Sequence, residues 1–417
     1  MNSRLALTAF LVLVFSLGFM QPSVLIPGFQ IPLTDFIFPV TFSIWLILII
    51  FKKTNFRFGK FYIPLILYFL ALVFSTIFSE NPKHSFVKLL GEIYLIGLAV
   101  LSFNLIRSIK DAKKTVLVWL FATFIACIVS AISFVIFYID RANPLFLFAF
   151  SHQGTLPPGN YPRIQSTFLN PNMFCNYLNV GLIFILAAYK LGWINKTVFV
   201  IFLIFFSIAA FFTLSPGLGG ILLCLGIWFW ISFREKNEFL LSKSSLLFGC
   251  SAAFLFFAVL LFAPNENSLS PFRFNFFGKI IYPSERFLAW QASIQTLAEN
   301  PFFGRGIGLN AVELFSILAS GQKHFVGDSH QLWLNVAAQA GIFGLLAICF
   351  LSGFFYKKVL PFSFRDEPNA ILRVCFGTAF IGAFLYQGLS GSFEDARHLW
   401  VIIGLLGSFG EKISEEL

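Results

Sequence analysis

Three side chains in this sequence are suited to anion binding and proton transfer: Arg163, Arg286 and His330. A guanidinium offers a planar fork of donors that grips phosphate or carboxylate oxygens in pairs. An imidazole titrates near neutrality and can take a proton from a hydroxyl. Together they suit binding of an anion beside a general base. Asp328 lies two residues before His330, in the string DSHQLWLNVAAQAGIFG, and can orient the imidazole through a hydrogen bond. Read more plainly, His330 is a helix cap or interface residue.

Local patterns position these groups. Residues 284–300 are expected to form an amphipathic helix, with Ser284 as its cap and Phe287, Trp290, Ile294 and Leu297 at helical spacing. Arg286 falls in its first turn, where an anion is more usual. A phosphate partner would account for that, as would a snorkelling arginine at the headgroup boundary. Arg305 sits within Gly304-Arg305-Gly306-Ile307-Gly308, a pattern compatible with an anion-binding backbone nest or with an ordinary loop reversal. Arg163 precedes Asn170, Pro171 and Asn172, and either asparagine can cap the helix that follows. Serine-hydrolase elbows, HExxH helices and Cys/His metal spacings are absent from the sequence, so the chemistry is expected to need no metal and no cofactor.

The elements that must hold these residues are membrane helices. The chain is 58% hydrophobic and only 12% charged, against roughly a quarter charged in soluble domains. Sixty phenylalanines suit lipid-facing surfaces. In a soluble chain the net charge of +10 would raise the question of nucleic acid; here it raises the question of which side of a bilayer the cations occupy. The six cysteines lie in or beside apolar segments without metal-like spacing and read as small buried hydrophobes.

Apolar windows fall at 5–20, 33–51, 61–79, 86–106, 115–138, 172–189, 197–213, 216–233, 245–263, 331–356, 369–390 and 397–410. This predicts an all-α polytopic fold of about twelve spans, a single integral membrane domain over 1–417. Lys and Arg alternate between its connections, clustering at 52–60, 107–114, 190–196, 234–243 and 357–365. The positive-inside rule then places both termini in the cytoplasm, and it puts the connection 139–171 and the large loop 264–330 outside. Within the spans charges are few, Lys88, Glu92 and Arg373 among them, which weighs against the midplane ion sites expected of a transporter or flippase.

Four segments, RIQSTFLNPN from Arg163, RFLAW from Arg286, PFFGRGIG from Pro301 and HQLWLNVAAQAGIFG from His330, stand in an order that resembles the O-antigen ligase and O-antigen polymerase superfamily over about residues 160–350. These are bacterial membrane glycosyltransferases using undecaprenyl-diphosphate-linked donors. The resemblance implies a multi-pass inner-membrane enzyme with its active site in the periplasm, moving a glycan to lipid A core in lipopolysaccharide assembly, with polymerisation of O-antigen or exopolysaccharide as the alternative. His330 and Arg286 would be catalytic. Arg163, Arg286 and Arg305 would bind the donor diphosphate, with Asp328, Asn172 and Arg397 in support. Direct attack opposite the diphosphate would invert the anomeric centre. The sequence departs from the family where Ser-Arg-Gly is common and this chain has Ser215-Pro216-Gly217. Arg163, Arg305 and Arg397 are the candidates to replace the missing arginine.

Overall fold

The computed structural model describes residues 3–21, 23–26, 29–140, 142–143, 152–153, 162–262, 274–276, 279–281, 285–317, 323–360, 362–364 and 367–410. The expected cap Ser284 lies outside them. Thirteen α-helices form among the described residues: α1 Ser3–Ser16, α2 Leu33–Ile50, α3 Tyr62–Ile77, α4 Pro82–Leu105, α5 Ile109–Ile139, α6 Pro171–Lys190, α7 Lys196–Phe212, α8 Leu218–Glu235, α9 Phe239–Phe262, α10 Glu285–Glu299, α11 Leu332–Val359, α12 Pro368–Ala379 and α13 Arg397–Gly410. Eight stretches are long and apolar enough to cross a membrane, and four shorter apolar helices accompany them. Together they occupy the twelve apolar windows of the sequence, and the chain is an all-α polytopic membrane protein. The amphipathic α10 is the remaining helix.

Caps set many of the boundaries. Asn170 accepts a hydrogen bond from Met173 N at 2.8 Å with Pro171 in the first turn, Asn195 accepts from Val198 N at 2.9 Å, and Gln331 accepts from Leu334 N at 2.8 Å. Each satisfies a backbone donor that the first turn cannot pair. The core centres on α6, where 83% of the apolar stretch is buried, whereas α9 lies at the periphery with 17% buried. α13 packs against α4, α11 against α3, and α8 with α9 forms a hairpin.

Two helices depart from regular geometry. α12 runs into a π-helical stretch, Phe380–Tyr386, and a 3-10 turn, Gln387–Leu389. The freed carbonyl of Ala383 accepts from Asn176 Nδ2 at 2.8 Å. π-helical turns are uncommon and recur at functional positions. α11 breaks at Gly341, whose φ of 66° and ψ of −164° lie outside helical geometry. The segment 301–308 fills the break: Arg305 N and Gly306 N donate to Ala338 O and Gln339 O at 3.1 and 3.0 Å, while Ile342 N donates to Pro301 O at 2.9 Å.

The connections also carry four two-stranded antiparallel ribbons that the apolar pattern did not foreshadow. They pair Ser23–Ile26 with Phe29–Pro32, His152–Gln153 with Pro162–Arg163, Phe274–Phe276 with Lys279–Ile281, and Leu314–Ile317 with Lys323–Val326. Strands this short need a helix bundle to lean on.

Candidate active site

α10 delivers Arg286 from its first turn, directly beside the start of α11. Arg286 Nη1 donates to His330 O at 3.3 Å and also to Ser390 O. Among the described residues its hydrogen-bond partners are neutral backbone carbonyls. Partial burial pulls its pKa down to about 10; the nearby Asp328 charge opposes that fall and the Arg163 charge adds to it. Arg286 therefore stays cationic at neutral pH. Arg163 and Arg286, well separated in sequence, are brought within electrostatic reach of each other.

His330 is exposed and precedes α11 by two residues; it does not begin the helix, whose cap is Gln331. Its φ of 51° places it in the left-handed region, uncommon outside glycine although histidine tolerates it better than most. Asp328 holds that turn through its carboxylate, which accepts His330 N at 2.7 Å and also the Ser392 hydroxyl. Asp328 thus fixes the backbone of His330 through the peptide N–H.

Arg163 is placed by the break between α7 and α8. Its Nε donates to Thr213 O at 3.1 Å and its Nη2 to Asn172 Oδ1 at 3.1 Å, while Ile164 N donates to Phe212 O at 3.0 Å. The guanidinium therefore abuts the turn Thr213–Gly217, which holds the Ser-Pro-Gly departure. That turn is tied down by Gly217 N donating to Ser215 Oγ and by Gln387 Nε2 donating to Gly217 O, both at 3.1 Å.

The other two arginines stand elsewhere. Arg305 makes a bidentate pair with Glu80, Nε to Oε1 at 3.0 Å and Nη2 to Oε2 at 2.9 Å, and its Nη1 meets Glu313 Oε1 at 3.0 Å. Its hydrogen bonds to these carboxylates, that to Glu80 above all, hold its pKa above the ordinary arginine value. The backbone N–H groups of Arg305 and Gly306 donate to α11 carbonyls and that of Gly308 to Gln339 Oε1, so the glycine turn is a helix splice and those donors are not open to an anion. Arg397 is paired with Asp35, Nε to Oδ1 at 2.6 Å and Nη2 to Oδ2 at 2.7 Å. Both guanidiniums have their charge matched by carboxylates.

The sequence reading missed the connection Ser390–Ala396, of which it considered only the neighbouring Arg397. Ser390 O receives Arg286, the Ser392 hydroxyl donates to Asp328, Glu394 Oε1 accepts Asn335 Nδ2 of α11, and the Asp395 carboxylate accepts Lys88 Nζ of α4. One short segment thereby buttresses Arg286, His330 and α11 together. Glu394 is 6% exposed, and burial raises its carboxyl well above the usual range, with the Asp395 and Asp328 charges adding to the shift. The signal was present in the sequence as adjacent acids, Glu394-Asp395, between two apolar windows.

Residues 180–349 match the family model Wzy_C, O-antigen ligase. The match supports the O-antigen ligase superfamily. It starts within α6, spans the α7–α8 break, α10 and the Gly-rich turn, and ends inside α11, so it includes Arg286 and His330 while Arg163 lies just before it. With the apolar helices it indicates a multi-pass bacterial inner-membrane protein with ligase- or polymerase-like glycosyltransferase function. No curated protein matches the chain.

Proposed function

We propose that the protein transfers a glycan from undecaprenyl diphosphate to an acceptor hydroxyl, most specifically O-antigen to lipid A core, at the mouth formed by Arg163, Arg286 and His330. The observation that carries this reading is Arg286, which lies within electrostatic reach of Arg163 and donates to the backbone carbonyl of the exposed His330, with neutral carbonyls as its hydrogen-bond partners among the described residues. A diphosphate, with its several oxygens, offers acceptors to both guanidiniums at once. Arg163 takes the place of the arginine missing at Pro216, because its side chain reaches the same turn.

His330 accepts the acceptor's hydroxyl proton as its oxygen forms a bond to the anomeric carbon. The carbon–oxygen bond to the diphosphate breaks, its electron pair leaving on undecaprenyl diphosphate, whose charge Arg286 and Arg163 stabilise as it develops. Attack opposite the leaving group inverts the anomeric centre, and no step requires a metal ion. Support for a lipid-borne donor comes from an apolar cleft of about 540 Å³ between α3 and α11, lined by Leu67, Phe74, Phe303, Phe343, Leu346 and Phe350. It suits an isoprenoid tail on the helix that follows His330.

The test is reconstitution with a lipid-linked glycan donor and core acceptor in EDTA. Release of undecaprenyl diphosphate together with an inverted linkage is expected; no product, or activity only after a divalent ion is returned, would count against the proposal. Lipopolysaccharide from a deletion strain separates the two acceptors. A ligase defect leaves bare core while polymer accumulates on the carrier, whereas core bearing a single repeat would reassign the same chemistry to polymerisation.

A further inference from the structure

At the far end of α4 from the candidate site lies a second polar cavity. The first turn of α4 touches the Gly-rich turn, where His84 Nε2 lies 3.0 Å from Gly308 O. The 24 residues of α4 then run about 36 Å to a pocket of about 480 Å³ lined by Arg4, Lys52, Lys53, Asn104, Arg107 and Lys114 among others. Its volume lies within the usual range for ligand sites. Five cations face one carboxylate, Asp111, and that carboxylate accepts the Ser108 hydroxyl at 2.8 Å in capping α5.

The pocket is built from four elements, α1, the end of α2, the end of α4 and the start of α5, and its floor is fixed. Asn104 accepts Arg57 N at 2.8 Å and donates to Tyr62 Oη at 2.8 Å and to Val100 O at 2.9 Å. Arg107 is aimed by donating to Asn104 O at 2.7 Å and to Asn55 O. Lys52 ends α2 in the left-handed conformation, φ 54°, a position that glycine usually fills. That conformation is held by Lys53 N and Thr54 N, which donate to Leu48 O at 2.8 and 3.3 Å. The first turn of α5 adds the positive end of a 31-residue helix. The rim beside the cations is apolar: Ile50 and Phe51 are 65% and 70% exposed.

We propose that this pocket binds the phosphate headgroup of an anionic glycerophospholipid in the leaflet opposite the candidate site, with the acyl chains lying along Ile50, Phe51 and the outer face of α2. A phosphodiester complements the cations that line this pocket, and basic pockets between membrane helices recognise such headgroups. The apolar lip favours a lipid over free phosphate, since a soluble anion has no use for it. Ordinary side-to-side charge bias would scatter lysines over this face without requiring a fixed cavity floor.

The test is native mass spectrometry of the full-length protein, delipidated and then exchanged into nanodiscs of phosphatidylcholine alone or mixed with phosphatidylglycerol. Wild type is expected to retain phosphatidylglycerol selectively. K52Q/K53Q should weaken that retention about 30-fold, K52R/K53R should keep it, and K110Q/K113Q, which removes the same charge outside the pocket, should leave it nearly intact. Equal retention of both lipids, or equal loss in the two glutamine variants, overturns the proposal. So does saturation of the pocket by inorganic phosphate that phosphatidylglycerol cannot displace, because the ligand would then be a soluble anion. The readout is lipid binding alone, so it stands or falls separately from glycan transfer.

Discussion

Arg286 and Arg305 are nineteen positions apart in the long connection before α11, and the fold puts them to opposite uses. Arg305 is matched by Glu80 and Glu313, and its turn is spliced into α11. Arg286 leans on the carbonyls of Ser390 and His330 and has Arg163 for an electrostatic neighbour. A guanidinium already neutralised by carboxylates has little left for a phosphate, while one oriented by neutral carbonyls keeps its full charge. Being an arginine in this connection is therefore not the diagnostic feature; the partners are.

That contrast can be broken most sharply at the residue the Arg286 side serves. His330→Ala should lower transfer by about 100-fold to 10,000-fold, with unchanged membrane level and melting temperature; near-normal product would remove the general base. Next, Arg286→Lys should fall about as far as Arg286→Ala, roughly 100-fold or more in kcat/KM, because a point charge does not reproduce a bidentate fork. A lysine variant with full activity would reduce Arg286 to an anchor. On the structural side, Gly306→Ala would place a Cβ 1.9 Å from Ser79 Oγ at a φ of 119°, and the strain should cost about 1–3 kcal/mol in detergent unfolding. The smallest effect is expected at Arg305→Gln, where partly exposed ion pairs contribute about 0–1 kcal/mol and transfer should stay near wild type. A collapse of donor binding in Arg305→Gln would place Arg305 among the phosphate ligands after all.

The helical framework was legible in the sequence because hydrophobic length is a strong local signal, and all twelve apolar windows became apolar helices. α10 was readable from Phe287, Trp290, Ile294 and Leu297. Asn170 as cap was readable from the proline that follows it. Partnerships were not readable. Nothing local to Arg305 announces Glu80, 225 positions earlier, and nothing local to Arg397 announces Asp35, 362 positions earlier. The left-handed turn at His330 depends on Ser392 and Asp328 meeting across the fold. The strand pairs escaped because ribbons of two to four residues carry too little periodicity to stand out.

The break at Gly341 constrains how this sequence can drift. Pro301, Phe302, Arg305 and Gly306 supply backbone hydrogen-bond partners to α11 at its kink, and a Cβ on Gly341 would sit 2.3 Å from the backbone of Phe302. Most outer connections of a membrane protein tolerate insertions and deletions. This one is keyed on both sides, so adding or removing a single residue between Pro301 and Gly308 would shift every donor off its carbonyl and release the upper arm of α11 that carries His330. Length variation is therefore excluded from these eight positions, even where their side chains are free to change.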